Sequence, residues 1–202
     1  ITKNKQPESA KQAVLWFENR ISKVITQIDN SYSKYRLSEA LMSTYKLIWD
    51  DFCSWYLEIV KPNYGEPIDS ITYSKTVEQL EKMLKLLHPF MPFISEEIWH
   101  LLKKRESDII IAEWPKAEKI NNQLLKDFDN AKQVIAEIRT IRKKQNIPKK
   151  EKLELLSINK NTNYNLNAVI IKLANLANIK TINEKPRNTF TFIVKSNEYF
   201  IP

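Results

Sequence analysis

Apolar residues recur three and four positions apart through most of the first 150 residues, which predicts helices separated by proline-marked breaks. Val14, Phe17, Ile21, Val24 and Ile28 mark a first helix running to about Asn30. Ser9 with Gln12 three residues on predicts a capping box at its start, after a polar leader over 1–9. The turn Tyr32-Ser33-Lys34-Tyr35 leads to a second stripe, Leu41, Tyr45, Ile48, Phe52, Trp55 and Ile59, which Pro62 ends. Trp49, Cys53 and Tyr56 widen that stripe, so this helix is expected at the centre of a bundle, contacted on several sides. A loop with Gly65 and Pro67 precedes a third helix on Tyr73, Val77, Leu80, Leu84 and Leu87. Pro92 opens a fourth, with Ile94, Ile98 and Leu101 on one face, stopping near Lys104. Residues 105–121 lose the period, and Ile109-Ile110-Ile111 followed by Trp114-Pro115 reads as an extended connection. Leu124, Phe128, Ala131, Ile135, Ile138 and Ile141 then build a fifth helix, with Pro148 shortly after its end.

From Lys152 the pattern changes. A strand over Leu153–Ile158, a helix over 166–177, a strand over 179–182 and a hairpin of 189–194 with 198–201 across Lys195-Ser196-Asn197 are expected. The fold class is therefore mainly α: an antiparallel bundle of about five helices over 10–148, followed by a small α/β appendage over 149–202.

At 202 residues and 43% apolar content the chain can bury a real core. No apolar run approaches the roughly 20 residues that cross a bilayer, and the first residues carry no signal-peptide pattern. A cytoplasmic protein with no membrane partner is expected. Cys53 is the only cysteine; it can form no intramolecular disulfide and reads as a small buried apolar side chain. Gly65 is the only glycine, which rules out glycine-rich phosphate loops and the strained nucleophile turn of hydrolases. His88, His100 and Cys53 lack the paired spacing of a zinc site, so neither metal ligands nor catalytic residues are expected. His88 reads as a buried imidazole capping the third helix. Glu96 and Glu97 read as first-turn carboxylates that favour the helix dipole rather than as an acid/base pair.

The net charge of +8 is not spread evenly. Lys and Arg balance Asp and Glu 17 to 17 as far as Asn121 and outnumber them 15 to 7 beyond it. An anion-binding face is expected there. Its densest run is Arg139, Arg142, Lys143, Lys144, Lys149, Lys150 and Lys152, broken only by Glu151. Lys132, Arg139, Lys143 and Asn146 fall on one helix face, suited to tracking a phosphate backbone; a solvated face with cations at a helix C-terminus fits the spacing equally well. On the aromatic helix most rings must fill the core, which leaves Tyr45 or Trp49 to stack on unpaired bases, with Lys34 and Arg36 just before it.

Two segments carry a resemblance. Residues 45–62, YKLIWDDFCSWYLEIVKP, and 84–102, LKLLHPFMPFISEEIWHLL, are followed by Ala112-Glu113-Trp114-Pro115 and by 135–148, IAEIRTIRKKQNIP. Together they resemble the anticodon-binding helical domain of class I valyl-tRNA synthetases, well over about residues 10–150 and more loosely in the tail. Isoleucyl and leucyl enzymes share the architecture, but the block at 52–58 with Lys61-Pro62 looks valyl. Ser54 departs from the aspartate usual in the family, which argues against an RNA contact there.

The resemblance implies a piece of an enzyme that attaches valine to tRNA with ATP and Mg, whose catalytic and editing domains belong to the same parent chain. No cofactor is implied for this portion. It would hold the anticodon stem-loop of valine tRNA and work in a monomer. It implies Lys34, Arg36, Lys46 and Trp49 near the loop, and Arg139, Arg142, Lys143, Lys144, Asn146, Lys149 and Lys150 on the RNA backbone. A nonspecific RNA clamp and a helical protein-interaction module are the rival readings.

Overall fold

The computed structural model describes residues 1–3, 5–158, 166–187 and 189–202. They divide into two compact units, Ile1–Ile120 and Asn121–Pro202. In the first, α1 (Glu8–Ser33) packs against a long second rod and α4 (Ser70–Leu87). The rod runs without a break through α2 (Leu37–Lys46), a π-helical stretch (Leu47–Tyr56) and α3 (Leu57–Val60). Next comes α5 (Pro92–Leu102), which packs on α4 and starts with Pro92 in its first turn, where the missing N–H costs nothing.

The helix starts differ from the expected chemistry. Pro7, not Ser9, precedes α1; no side chain caps it, and Gln12 donates instead to Glu8 at 3.2 Å. Ser9 lies buried within the first turn, so no capping box forms. The leader is tied down: Thr2 N–H donates to the Ile68 carbonyl and Ser70 N–H to the Thr2 carbonyl, both at 2.9 Å. Asp69 caps α4 by accepting from Thr72 N–H at 2.8 Å. Gly65 has φ +81° in an exposed turn closed by Glu66 N–H on the Asn63 carbonyl, a backbone that favours glycine.

The π-helical stretch changes which face of the second rod is buried. The expected stripe of Leu41, Tyr45 and Ile48 is displaced by one position: Ala40, Thr44 and Leu47 are fully buried, whereas Leu41 and Tyr45 are exposed. A π-helix advances more than four residues per turn, so the face rotates within the segment and Phe52, Tyr56 and Ile59 re-enter the core. Phe17 meets Tyr56 at 4.9 Å and Phe52 at 5.5 Å between ring centroids, and these rings with Trp16, Ile21 and Ile25 form the centre of the unit. Cys53, expected to be buried, is exposed on the far side of the same stretch.

Thr76 donates its hydroxyl to the Thr72 carbonyl, so Tyr56 must be the donor in the 2.9 Å bond between them. Burial pushes the Tyr56 phenol up to about 12, with Glu18 and Asp69 adding to it and Lys75 opposing it. Because the folded value lies above the unfolded one, the folded state holds the proton longer. This contribution is constant below about pH 10 and stability is lost as pH climbs from about 10 towards 12. Tyr56→Phe should remove that alkaline loss while costing about 1 kcal/mol at neutral pH, as measured by urea unfolding at several pH values.

Residues 105–121, read as extended, instead start with a 3₁₀ turn, Ile109–Ile111. Ile109 is buried with Leu84 and Trp99. Arg105 lies 3.6 Å over the Trp99 ring and pairs with Glu81, which closes this small core.

The second unit begins with α6 (Asn122–Lys144), capped by Asn121, which accepts from Leu124 N–H at 3.1 Å. Its stripe, Leu124, Phe128, Ala131, Ile135 and Ile138, is buried against α7 (Asn167–Ala174) and the sheet. The fifth long helix therefore lies in the same compact unit as the α/β residues. The sheet has the order β2-β1-β4-β3: β1 (Leu153–Ile158) pairs in parallel with β2 (Leu176–Thr181) through the α7 crossover and antiparallel with β4 (Asn197–Ile201). β3 (Phe190–Val194) pairs antiparallel with β4 in the expected hairpin, tightened to Val194 opposite Asn197 with Lys195 at φ 56°. Mainly α with a small α/β portion is the architecture observed.

Candidate nucleic-acid interface

In the second unit α6 ends in a Schellman motif. Ile147 N–H donates to the Arg142 carbonyl at 2.9 Å and Asn146 N–H to the Lys143 carbonyl, with Asn146 left-handed at φ 52°. Asparagine tolerates that conformation, so Asn146 is explained locally as the residue that stops the helix.

Arg142 is 7% exposed, and its guanidinium faces inward. One terminal nitrogen donates to the Pro148 carbonyl at 3.1 Å; the other donates to the carbonyls of Glu151, Ala174 and Asn175 at 3.0–3.1 Å. Burial lowers its pKa from the ordinary arginine value, with Glu151 opposing the shift. Asn175, left-handed at the C-cap of α7, donates to the Lys149 carbonyl at 2.8 Å. Two side chains, Arg142 and Asn175, therefore fix the backbone of 148–151, and Arg142 positions the neighbouring cations while its own charge stays inside.

The remaining cations point outward: Arg139, Lys143, Lys144, Lys149 and Lys150 are exposed. Arg139, Lys143, Asn146 and Lys149 line a cleft of about 740 Å³ together with Arg142, Ile147, Leu173, Ala174 and Asn175. Among the described residues no carboxylate lines it. Among the described residues no ion pair engages Lys143, Lys144, Lys149 or Lys150. Lys132, expected on the same face, lies instead over the Phe128 ring at 5.8 Å.

In the first unit Lys34 caps the end of α1, and Arg36 pairs with Glu39 at 3.3 Å; both are exposed. Tyr45 and Trp49 are 53% and 60% exposed and stack on each other at 6.4 Å with 10° between planes, a preformed shelf one turn apart on the second rod. Lys46 lines a polar cleft of about 370 Å³ between α1 and α2, with Arg20, Val24, Gln27, Asn30, Ser31, Ser43 and the carboxylate of Glu39. Arg20 is held there by buried Asp51 at 2.6 Å. Sequence periodicity missed Tyr35, which is 91% exposed and left-handed at φ 57° between Lys34 and Arg36. The signal available was a large ring in a polar turn without an apolar partner at helical spacing.

The chemistry expected to be lacking needs one qualification. Glu96, His100 and Asp108 converge with ligand atoms within 4.8 Å, His100 Nε2 lying 3.1 Å from Glu96 and 3.3 Å from Asp108. Glu96 also accepts from Ile109 N–H at 3.0 Å, so it anchors the 3₁₀ turn. The trio is partly exposed, and among the described residues no fourth His, Cys, Asp or Glu joins it. His88 is half-buried and joins the end of α4 to α5 through Ser95 Oγ at 2.8 Å.

The description that matches the chain, over residues 15–157, is the anticodon-binding domain of tRNA ligase. The chain belongs to this family. Most of the matched span is the helical unit, and its last part includes the α6 terminus with the cation cleft. The chain is similar to the valine–tRNA ligase of Christiangramia forsetii, 48% identical over 99% of this chain, and to that of Porphyromonas gingivalis, 47% identical over 98%. The valine–tRNA ligase of Thermotoga maritima is 30% identical over 93%. The chain spans about 23% of the length of the two more similar relatives.

Proposed function

We propose that this chain binds the anticodon stem-loop of valine tRNA for a valine–tRNA ligase, an enzyme that joins valine to tRNA at the expense of ATP. The observation that carries the reading is the cleft at the end of α6, where exposed cations gather with no carboxylate among the described lining residues, in a chain of the anticodon-binding family. Arg139, Lys143, Lys144, Lys149 and Lys150 would hold phosphates, with Arg142 and Asn146 setting their geometry. Lys34, Arg36, Lys46 and Trp49, joined by Tyr35 and Tyr45, would meet the loop. The enzyme would act in the cytoplasm as a monomer, with its catalytic and editing domains in the same polypeptide.

ATP and Mg would be handled outside these residues. Gly65, the only glycine, stands in an exposed turn with open space around it, so the described residues offer no glycine-rich loop to cradle a triphosphate. In this reading the portion described contributes recognition.

Tyr35 provides a separable test, because a non-glycine residue in the left-handed region costs roughly 1–2 kcal/mol. Tyr35→Gly should leave stability equal or up to about 1 kcal/mol higher in urea unfolding, while weakening tRNA binding by about fivefold or more through loss of a stacking ring. Ribonuclease footprinting of valine tRNA bound to this chain tests the proposal as a whole. Protection confined to the anticodon arm is expected; protection spread evenly along the molecule would instead mark a nonspecific clamp.

A further inference from the structure

The cleft at the end of α6 is larger and less uniformly polar than phosphate binding requires. Its volume of about 740 Å³ lies within the range of roughly 300–1,000 Å³ typical of small-molecule sites. A duplex backbone presents a convex ridge of phosphates, for which exposed lysines on a flat surface suffice. Here the cations rim a concavity with an aliphatic wall of Ile147, Leu173 and Ala174. Arg139 is held across that wall by its bond to the Leu173 carbonyl at 3.4 Å, and a guanidinium plane is a surface on which bases stack. Asn146 brings a donor and an acceptor to the rim. Arg142 also lines the cleft, and among the described residues its buried Nε has no hydrogen-bond partner. An apolar wall, a planar cation, an amide and point charges match the parts of a nucleotide: base face, base edge and phosphate.

We propose that this cleft binds one unstacked nucleoside phosphate, its base against Ile147 and Leu173 and its phosphate on Lys143 and Lys149. The nucleotide comes from one of two sources, a residue extruded from a bound RNA strand or a free mononucleotide. Only the first source rests on the proposed tRNA-binding role; the site itself does not.

The test is a set of NMR titrations of the chain with inorganic phosphate, each of the four nucleoside 5′-monophosphates, a single-stranded RNA pentamer and an RNA duplex. At least one monophosphate should bind about tenfold more tightly than inorganic phosphate, with shifts centred on Ile147, Leu173 and Asn175. The single strand should perturb the same residues more strongly than the duplex does. Ile147→Ser and Leu173→Ser should abolish the preference for nucleotide over phosphate, whereas K143Q and K149Q, at exposed positions, should weaken both ligands alike. Displacement of the monophosphate by valine tRNA would assign the site to an RNA residue, and simultaneous binding would assign it to a free nucleotide. Phosphate binding as tightly as every monophosphate, or wall variants that leave the ratio unchanged, would overturn the proposal. Because that result concerns base selectivity at one cleft, an anticodon-confined footprint would survive it, so the two readings can fail separately.

Discussion

Replacing Arg142 with methionine is expected to destabilise the C-terminal unit by about 3–5 kcal/mol, a loss large enough to threaten the fold of that unit. The guanidinium satisfies four backbone carbonyls from two separate segments, 148–151 and 174–175, and a side chain of similar length without donors takes that partner from all four, with only Glu151 keeping a bond from Asn175. Lysine at 142 should recover only part of the loss, because one ammonium cannot reach carbonyls on both sides as a planar fork does. Hydrogen exchange followed by mass spectrometry reads the effect unit by unit: amides of β1, β2 and α7 should lose protection while α1 and α4 keep theirs. Equal loss in both units, or none, would show that Arg142 does not hold this junction. RNA affinity should fall as well, as a secondary consequence of releasing Lys149 and Lys150 from a fixed backbone.

Exchanging Lys143, Lys144, Lys149 and Lys150 together for glutamine should act in the opposite way, on binding and not on folding. All four are exposed, so stability should change by no more than about 0.5 kcal/mol per site. Each phosphate that is no longer neutralised takes about 0.7–0.9 from the log–log salt dependence of binding, so the slope for valine tRNA should fall by about 3. Affinity should drop equally for transcripts with different anticodons, since cations on phosphates position the RNA without reading it. Filter-binding titrations between about 50 and 200 mM salt measure both quantities. An unchanged slope would place the RNA on some other surface.

The helices were legible because their apolar periods are long and their breaks are marked by Pro62, Pro89, Pro92 and Pro148. The β3–β4 hairpin was legible from its β-branched and aromatic residues, whereas β2 begins at Leu176, inside the helix expected to reach 177. What remained hidden depends on contacts between segments. The π-helical stretch carries no local signature, and because it shifts the burial face by a residue, Leu41, Tyr45 and Cys53 lie outward where an unbroken α-helical period would turn them inward. The α6 stripe is the same whether it faces other helices or a sheet, so its grouping with the α/β unit could not be read from spacing.

The cation cluster shows the same limit more sharply. Arg139, Arg142, Lys143, Lys144, Lys149 and Lys150 look alike as a run of charge, yet Arg142 is the one turned inward. What singles it out is the αL stop at Asn146, which folds Pro148 and Glu151 back over it, and the α7 C-cap, whose carbonyls arrive from more than 30 residues away. Tyr35 escapes the sequence pattern for a related reason: an exposed ring held in a strained turn follows no period.

The most direct test of the central claim compares valine tRNA with an otherwise identical transcript carrying another amino acid's anticodon, titrated in parallel against this chain at one salt concentration. Tighter binding of the valine transcript by about tenfold, with both sharing the same salt slope when the pair is repeated at a second concentration, is the expected result. Equal affinity for the two would show that the cations hold RNA while nothing here reads it, and would contradict the account.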